Sequence, residues 1–371
     1  MSSSERAVLV ASAEFTLKSS PVRRTLEQRL MDDLRVALIR GGLEGFTVEK
    51  ETGRIVVRGI KDAEIGARLC AKAFGVAYAA PAVYLPASMD IVIQTIVKLA
   101  TEALKPGQSF AVRAHRATTS PLSRHEIEIN GGSQVLHSLG QELVKVNLKT
   151  PDVTIFVDLV GDYAYVYRQR LPGPGGLPLS SQWRMLAVLD SGPLSILAAY
   201  AMMRRGCLVE LLIPLSEIIQ PFAKDQQLRL AQILREFVTR TPYRAFTFAF
   251  ESLIEQVSTS YPEYGAAKRF ARLASMKLAA EKRYKGLVFS DAAGALSALN
   301  REFVETTKPI PPVFHPLIGL SKEDLLGMCR EIGIPEEELL SQVALESHSA
   351  ESRNFDFIKA PIDTEFEQIS L

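Results

Sequence analysis

Residues Met185-Leu-Ala-Val-Leu-Asp190-Ser191-Gly192-Pro193-Leu194-Ser195-Ile-Leu-Ala-Ala-Tyr-Ala-Met-Met-Arg-Arg-Gly206 run from an apolar strand through a small-residue turn into a helix. A turn of this kind aims free backbone N–H groups and the positive end of a helix dipole at one spot, which suits a phosphate. A competent version carries more than one glycine. Here only Gly192 lets the backbone approach closely, Pro193 removes a donor, and Leu194 places an apolar side chain where a polar one could meet phosphate or metal. Two readings follow: an ordinary strand-to-helix turn, or a reduced phosphate cradle built from Ser191, Gly192 and Ser195.

Working outward, strand and helix patterns alternate over 185–190, 193–205, 207–213, 224–240, 244–249, 265–282, 286–290 and 322–332. That alternation predicts a parallel sheet with helices on both faces. Upstream, Leu171-Pro-Gly-Pro-Gly-Gly-Leu-Pro-Leu-Ser180 breaks every periodic pattern and marks the best domain boundary. Before it, a strand at Ala7–Ser12 precedes a helix over 21–40, with Leu26, Leu30, Leu34 and Leu38 on one stripe. Strands at Phe46–Glu49 and Ile55–Arg58, a helix near 61–73 and a strand at Val76–Tyr84 complete a β-α-β-β-α-β order, the ferredoxin-like arrangement. A helix over 90–104, a strand at Ser109–Ala114, a helix near 132–147 and a hairpin over Val153–Tyr167 about Gly161-Asp162 follow.

At 371 residues and 47% hydrophobic content the chain can bury more than one core. No apolar run approaches the roughly 18 residues of a membrane span, and Met1-Ser-Ser-Ser-Glu-Arg6 leads into a strand, so a soluble cytoplasmic protein with no membrane partner is expected. Cys70, Cys207 and Cys329 lie far apart among apolar neighbours; no metal site is expected, and core packing is their default. Net charge is +4 over residues 1–170 and −3 over 171–371, with 4 basic and 12 acidic residues after position 320. A basic front and an acidic tail point to a polyanion held by the first half. Trp183, the only tryptophan, is expected to anchor the interdomain junction.

Several segments carry a resemblance. They are Ala13-Glu-Phe-Thr-Leu-Lys18, Phe110-Ala-Val-Arg113-Ala-His-Arg116, Ser120-Pro-Leu-Ser123, Glu128-Ile-Asn130, Pro151-Asp-Val-Thr-Ile-Phe-Val-Asp158, Ala164-Tyr-Val-Tyr-Arg-Gln-Arg170-Leu-Pro-Gly-Pro-Gly-Gly-Leu-Pro178, Pro316-Leu-Ile-Gly319-Leu-Ser-Lys322-Glu and Arg330-Glu-Ile-Gly333. In this order they resemble the tRNA 4-thiouridine synthetase family, the ThiI-like tRNA sulfurtransferases, over almost the whole chain. The resemblance implies a multidomain α/β and α+β protein. Its expected parts are a ferredoxin-like domain (1–75), a THUMP RNA-binding domain (76–171), a linker (172–180), a Rossmann-like pyrophosphatase-loop domain (181–345) and an acidic tail (346–371).

It also implies ATP and magnesium as cofactors, tRNA as partner, and adenylation of a uridine so that a persulfide sulfur can displace AMP. Lys18, Arg113, Arg116, Arg124, Arg168 and Arg170 are the expected RNA contacts, with Arg124 in the loop after the Arg113–Arg116 strand and with each arginine pair presented on one face. A homodimer and an external sulfur-donor protein are further implied partners; a thiamine-pathway sulfur role ranks last, for want of a suitable cysteine.

The catalytic half departs from the pattern. Where the family loop reads Ser-Gly-Gly-x-Asp-Ser, this chain has Asp190-Ser-Gly-Pro-Leu-Ser195, which puts Leu194 in place of the carboxylate and leaves Asp190 to repel phosphate. The second nucleotide segment, Thr-Gly-Glu-x-x-Gly-Gln, is Phe289-Ser290-Asp291-Ala292-Ala293-Gly294-Ala295, with Asp291 the remaining candidate. His315 stands where an arginine is usual, and Glu346-Ser347-His348-Ser349-Ala350 holds no cysteine. Two functions compete: a tRNA-binding protein whose ATP-dependent sulfur transfer is impaired or lost, and an active sulfurtransferase with an altered loop.

Overall fold

The computed structural model describes residues 5–13, 18–51, 53–116, 119–216, 223–239, 243–248, 264–291, 311–349, 365–369 and 371. The chain divides into two compact units, Met1–Gly176 and Leu177–Leu371.

In the first unit, β1 (Glu5–Ser12), α1 (Ser20–Arg40), β2 (Thr47–Glu51), β3 (Arg54–Arg58), α2 (Ala63–Cys70) and β4 (Val76–Pro86) follow the ferredoxin-like order. The leucine stripe of α1 is buried as its four-residue spacing requires, and Pro21 sits in its first turn, where a missing N–H costs nothing. Asp62 caps α2 by accepting from the Ile65 N–H at 2.9 Å. Next come α3 (Met89–Ala103), β5 (Ser109–Arg116), α4 (Arg124–Leu139), β6 (Lys145–Val146), β7 (Val153–Val160), β8 (Tyr163–Tyr167) and β9 (Leu171–Pro172).

The helix expected near 132–147 is α4, which starts at Arg124 and runs through Gly131-Gly132. Gly131 is a packing residue: a Cβ there would stand 3.1 Å from Ile96 of α3. Arg124, expected in a loop, is the first residue of this helix.

All strands of this unit join one sheet in the order β2-β3-β1-β4-β8-β7-β5-β6, with β9 paired to β4. Pairing of Leu171 with Ala79 and Pro172 with Tyr78 ties the start of the Pro/Gly run to this sheet. By register, Val8 lies opposite Pro81 and Leu85 opposite Ala164, so α2, packed near Val8, and α3 with α4, packed on Leu85 and Ala164, cover the same face. The other face carries Leu9, Val56, Ala80, Tyr165 and Tyr167 as a buried cluster, with Tyr78, Tyr84 and Phe156 against it.

Curling of the sheet buries that second face. Arg54 of β3 donates to Asp158 of β7 at 2.8 Å, although four strand spacings separate them, roughly 19 Å in a flat sheet.

In the second unit, β10 (Arg184–Val188), α5 (Pro193–Arg204), β11 (Leu208–Leu212), α6 (Lys224–Arg235), β12 (Ala245–Phe248), α7 (Tyr264–Lys282), β13 (Leu287–Val288), β14 (Val313–Phe314), α8 (Lys322–Ile332), α9 (Glu336–Ser349) and β15 (Phe366–Ile369) build a second sheet. Its order is β14-β13-β10-β11-β12-β15, parallel throughout except for β15. Chain direction around the sheet reverses at β10, and such a switch point opens a crevice at the carboxyl ends of the strands.

The acidic end is not simply a tail. Helix α9 continues to Ser349, and β15 closes the edge of β12 antiparallel, with the Phe366 ring edge-on to Phe248 at 6.0 Å. Trp183 does not act as a buried anchor: its side chain leaves it 59% exposed, while its carbonyl accepts from the Leu208 N–H at 3.1 Å.

Candidate functional site

The turn after β10 lies in the crevice, and it is closed. Asp190, Ser191 and Ser195 are buried, and the Asp190 carboxylate sits at the centre of the loop. Its Oδ1 accepts from the hydroxyls of Ser191 (3.1 Å), Ser195 (3.1 Å) and Ser290 (3.0 Å), while its Oδ2 accepts from Arg272 Nε at 2.6 Å. Ser290 can reach it because β13 lies beside β10, so both strands release their chains at the same place.

The backbone of the loop is turned inward as well. The N–H of Ser191 donates to Ser195 Oγ (2.9 Å), that of Leu194 to the Ser191 carbonyl and that of Ser195 to the Gly192 carbonyl, both at 3.1 Å. Gly192 holds φ +48° and ψ −126°, a backbone that a side chain strains, and Gln342 of α9 lies directly above it. Gln342 donates to the Tyr264 hydroxyl at 2.7 Å, and Tyr264 donates to the Asp190 carbonyl at 2.9 Å.

Asp291 is a second carboxylate in the same cluster. It accepts from Arg272 Nη2 at 3.0 Å, with Lys268 Nζ at 4.0 Å and His315 Nδ1 at 2.9 Å from its two oxygens. Burial alone would raise the Asp291 pKa, but the His315 contact and the charges of Arg272 and Lys268 hold it well below the ordinary carboxylate range. Burial alone would lower that of Arg272, yet Asp190 and Asp291 push it up, so the guanidinium stays charged. That guanidinium also stacks 4.5 Å over the Phe289 ring.

Sequence reading placed Ser191, Gly192, Ser195 and Asp291 together, and they are together. It missed Arg272, Ser290, Tyr264, Lys268 and Gln342. The available signal for Arg272 was weak: a cation one turn after Lys268 on a helix whose other side, Ala267, Ala271, Ala274 and Leu278, is buried.

The three cysteines are buried. Burial pushes the Cys70 thiol up to about 12 and raises that of Cys207, and burial together with Glu336 and Glu338 takes Cys329 up to about 11. None is an activated thiolate. Among the described residues no group of three or more His, Cys, Asp or Glu is placed to hold a metal ion, and no helix is long and apolar enough to cross a membrane.

The expected RNA contacts lie on the first unit. Lys18, Arg113, Arg116, Arg124 and Arg168 are exposed. Arg113 and Arg116 do not share a face: three residues apart on β5, they point to opposite sides of the sheet, and His115 accompanies Arg113. The Arg113 guanidinium donates to the Leu148 carbonyl. Arg170 is exposed as well. Arg170 is stacked 4.0 Å over Phe156 and 4.6 Å over Tyr78, and it donates to the Tyr167 hydroxyl at 3.0 Å.

Comparison with known proteins places these features. The THUMP domain family matches residues 86–168, and the family described as thiamine biosynthesis protein (ThiI) matches 180–344. Curated relatives called probable tRNA sulfurtransferase align along most of the chain. That of Methanosarcina acetivorans is 28% identical over 88% of this chain and 81% of its own, and that of Thermococcus kodakarensis 27% over 90% of each. Over most of its length the chain is similar to the ThiI-like tRNA sulfurtransferase family.

Among solved structures, a protein from Pyrococcus horikoshii superposes with a TM-score of 0.68 at 25% identity, covering 89% of this chain and all of its own. A 4-thiouridine synthetase in complex with RNA and bound ATP gives 0.70 at 19% identity, covering 99% of this chain and 100% of its own; this likeness is one of fold. The ferredoxin-like, THUMP and parallel-sheet parts of this fold are thus all present among the described residues.

Proposed function

We propose that this chain is a tRNA-binding member of the ThiI-like family in which ATP-dependent adenylation and sulfur transfer are lost. One observation carries the reading: the buried Asp190 carboxylate lies within the turn, and three hydroxyls and an arginine already serve it. ATP with magnesium does not fit these residues. A phosphate would meet a buried carboxylate, its donors would have to break four hydrogen bonds first, and Arg272 is neutralised by Asp190 and Asp291. Leu194 supplies no ligand for a cation, and no thiol is poised to carry sulfur.

The RNA half keeps the chemistry its role needs. Exposed Arg113, Arg116, Arg124 and Arg168, with Lys18, provide guanidinium and ammonium groups for phosphates, and a THUMP-type surface reads shape and ends more than sequence. Residues 1–75 and 76–171 are the two parts of this grip, joined through β4, and residues 181–345 keep the nucleotide fold as scaffold.

The test is AMP release from labelled ATP with magnesium, with and without bulk tRNA and sulfide, alongside tRNA binding in the same preparation. Salt-sensitive tRNA binding with no AMP is expected. AMP formed only with tRNA present would instead make this an active enzyme supplied with sulfur from outside.

A further inference from the structure

The strands of the second unit release their chains toward Asp190 at one end, and at the opposite end they take in an unusual set of residues. Trp183 enters β10, Arg205 precedes β11, and Arg283 and Lys285 precede β13, with Lys282 closing α7 beside them. Because β13, β10 and β11 are neighbours, the residues at their entries lie within roughly 10 Å, and the Lys282 ammonium reaches on to 5.8 Å over the Phe246 ring of β12. Backbone bonds fix these entries: the Lys285 N–H donates to the Arg184 carbonyl at 3.0 Å, and the Gln182 N–H donates to that of Gly206 at 3.0 Å.

Arg184 itself is a structural member. It donates to the Lys282 carbonyl at 2.6 Å and lies 4.6 Å over the Tyr284 ring, which leaves the outward positions to the others. Trp183, Arg205, Lys282, Arg283 and Lys285 are all exposed, with Glu281 the exposed carboxylate next to Lys282. Arg205, Arg283 and Lys285 have no ion-pair partner among the described residues.

Helix dipoles explain part of this. Lys282 and Arg205 stand at helix C-termini, where cations are favoured. They do not explain Arg283, which holds φ +57°, or Lys285, or a tryptophan left 59% in water among like charges. Small ligands of such sheets bind at the carboxyl ends of the strands, so this end has no share in a nucleotide pocket. A positive row interrupted by one exposed indole has the composition that binds an unpaired nucleic-acid strand, with cations on phosphates and the ring under a base.

We propose that Trp183, Arg205, Lys282, Arg283 and Lys285 form a second RNA-contact surface that takes an unpaired stretch of the RNA, a proposal that rests on the RNA-binding reading above. Trp183 is the only tryptophan in the chain, so its fluorescence reports on this surface alone.

The experiment titrates the full chain with bulk tRNA while following both filter binding and tryptophan emission. Saturable quenching that tracks bound tRNA is expected. Arg283→Glu with Lys285→Glu should weaken binding by about tenfold, remove the quenching and flatten the salt dependence. Trp183→Phe, which keeps a ring, should bind more tightly than Trp183→Ala by about fivefold or more. Binding without quenching, and indifferent to the double charge reversal, would overturn this surface and leave RNA binding by the first unit standing. Equal quenching by heparin, which has charge but no bases, would overturn the assignment to RNA. No tRNA binding at all would overturn the RNA reading itself.

Discussion

The closed loop of the second unit and the curled face of the first both gather arginines and carboxylates, buried at Arg272 and open to water at Arg170, and they settle the charge in different ways. In the loop, Arg272 lies between Asp190 and Asp291, which Lys268 and His315 also approach. On the curled face, Arg170 rests on the rings of Phe156 and Tyr78 with a phenol as its hydrogen-bond partner, while Asp158 is matched by Arg54. An ionic cluster fails when one member is removed, because the remaining charges stay buried and uncompensated. A stacked guanidinium can be lost with less damage, since the rings that held it are content with apolar company.

The largest effect should therefore come from Arg272→Met, which strands two carboxylates. We expect a loss of about 3–5 kcal/mol in urea unfolding of the full chain. A loss under about 1 kcal/mol would mean that the cluster is wetter than its burial implies, and the contrast between the two regions would collapse.

Acid should act on the same cluster in a defined direction. Asp291 is held below its unfolded value of about 3.9, so its contribution is fully present above that pH and disappears as pH falls through the folded value. Stability should decline on acidification below about pH 4, and Asp291→Asn should flatten the decline. An unchanged acid profile in that variant would assign the decline to other carboxylates.

A smaller loss is expected for Arg170→Ala. Two stacked faces and one hydrogen bond to Tyr167 suggest about 1–2 kcal/mol by chemical unfolding, with most of it recovered in Arg170→Met, which refills the space between the rings. If the Met variant were as weak as Ala, charge and not stacking would be the dominant part, and the two regions would be more alike than their geometry says.

How much of this could be read from the sequence differs by distance along the chain. The leucines of α1, the β-α-β-β-α-β order and the alternation that builds the second sheet are local periodicities, and all were legible. The unusual composition of the turn after β10 was legible too, because Pro193 and Leu194 stand within it. What fills the loop was not: Arg272 is 82 residues from Asp190 and Ser290 is 100 residues away, and a cation row on α7 looks like any solvated helix face. Gly131-Gly132 concealed the first half of α4, because a glycine chosen for close approach to Ile96 reads like a helix breaker. β15 is four residues in an acidic stretch, and only its partner β12 makes it a strand. The pairing of Arg113 with Arg116 on one face was a misreading that the two-residue period of a strand already excluded.

That correction yields the finest test of the comparison. Arg113 shares a face with Phe156 and the curled side of the sheet, whereas Arg116 projects to the side that carries α3 and α4. A single RNA strand or duplex edge following β5 can lie along one of these sides. Arg113→Glu should weaken tRNA binding several-fold and lower the salt slope by about one, with stability changed by no more than about 0.5 kcal/mol, because the side chain is exposed. Arg116→Glu should cost less if the curled side is the RNA side, and more if the helical side is. Equal losses would place the RNA across the exposed end of β5, where both side chains reach solvent, and the curled face would then owe its aromatic and arginine content to packing alone.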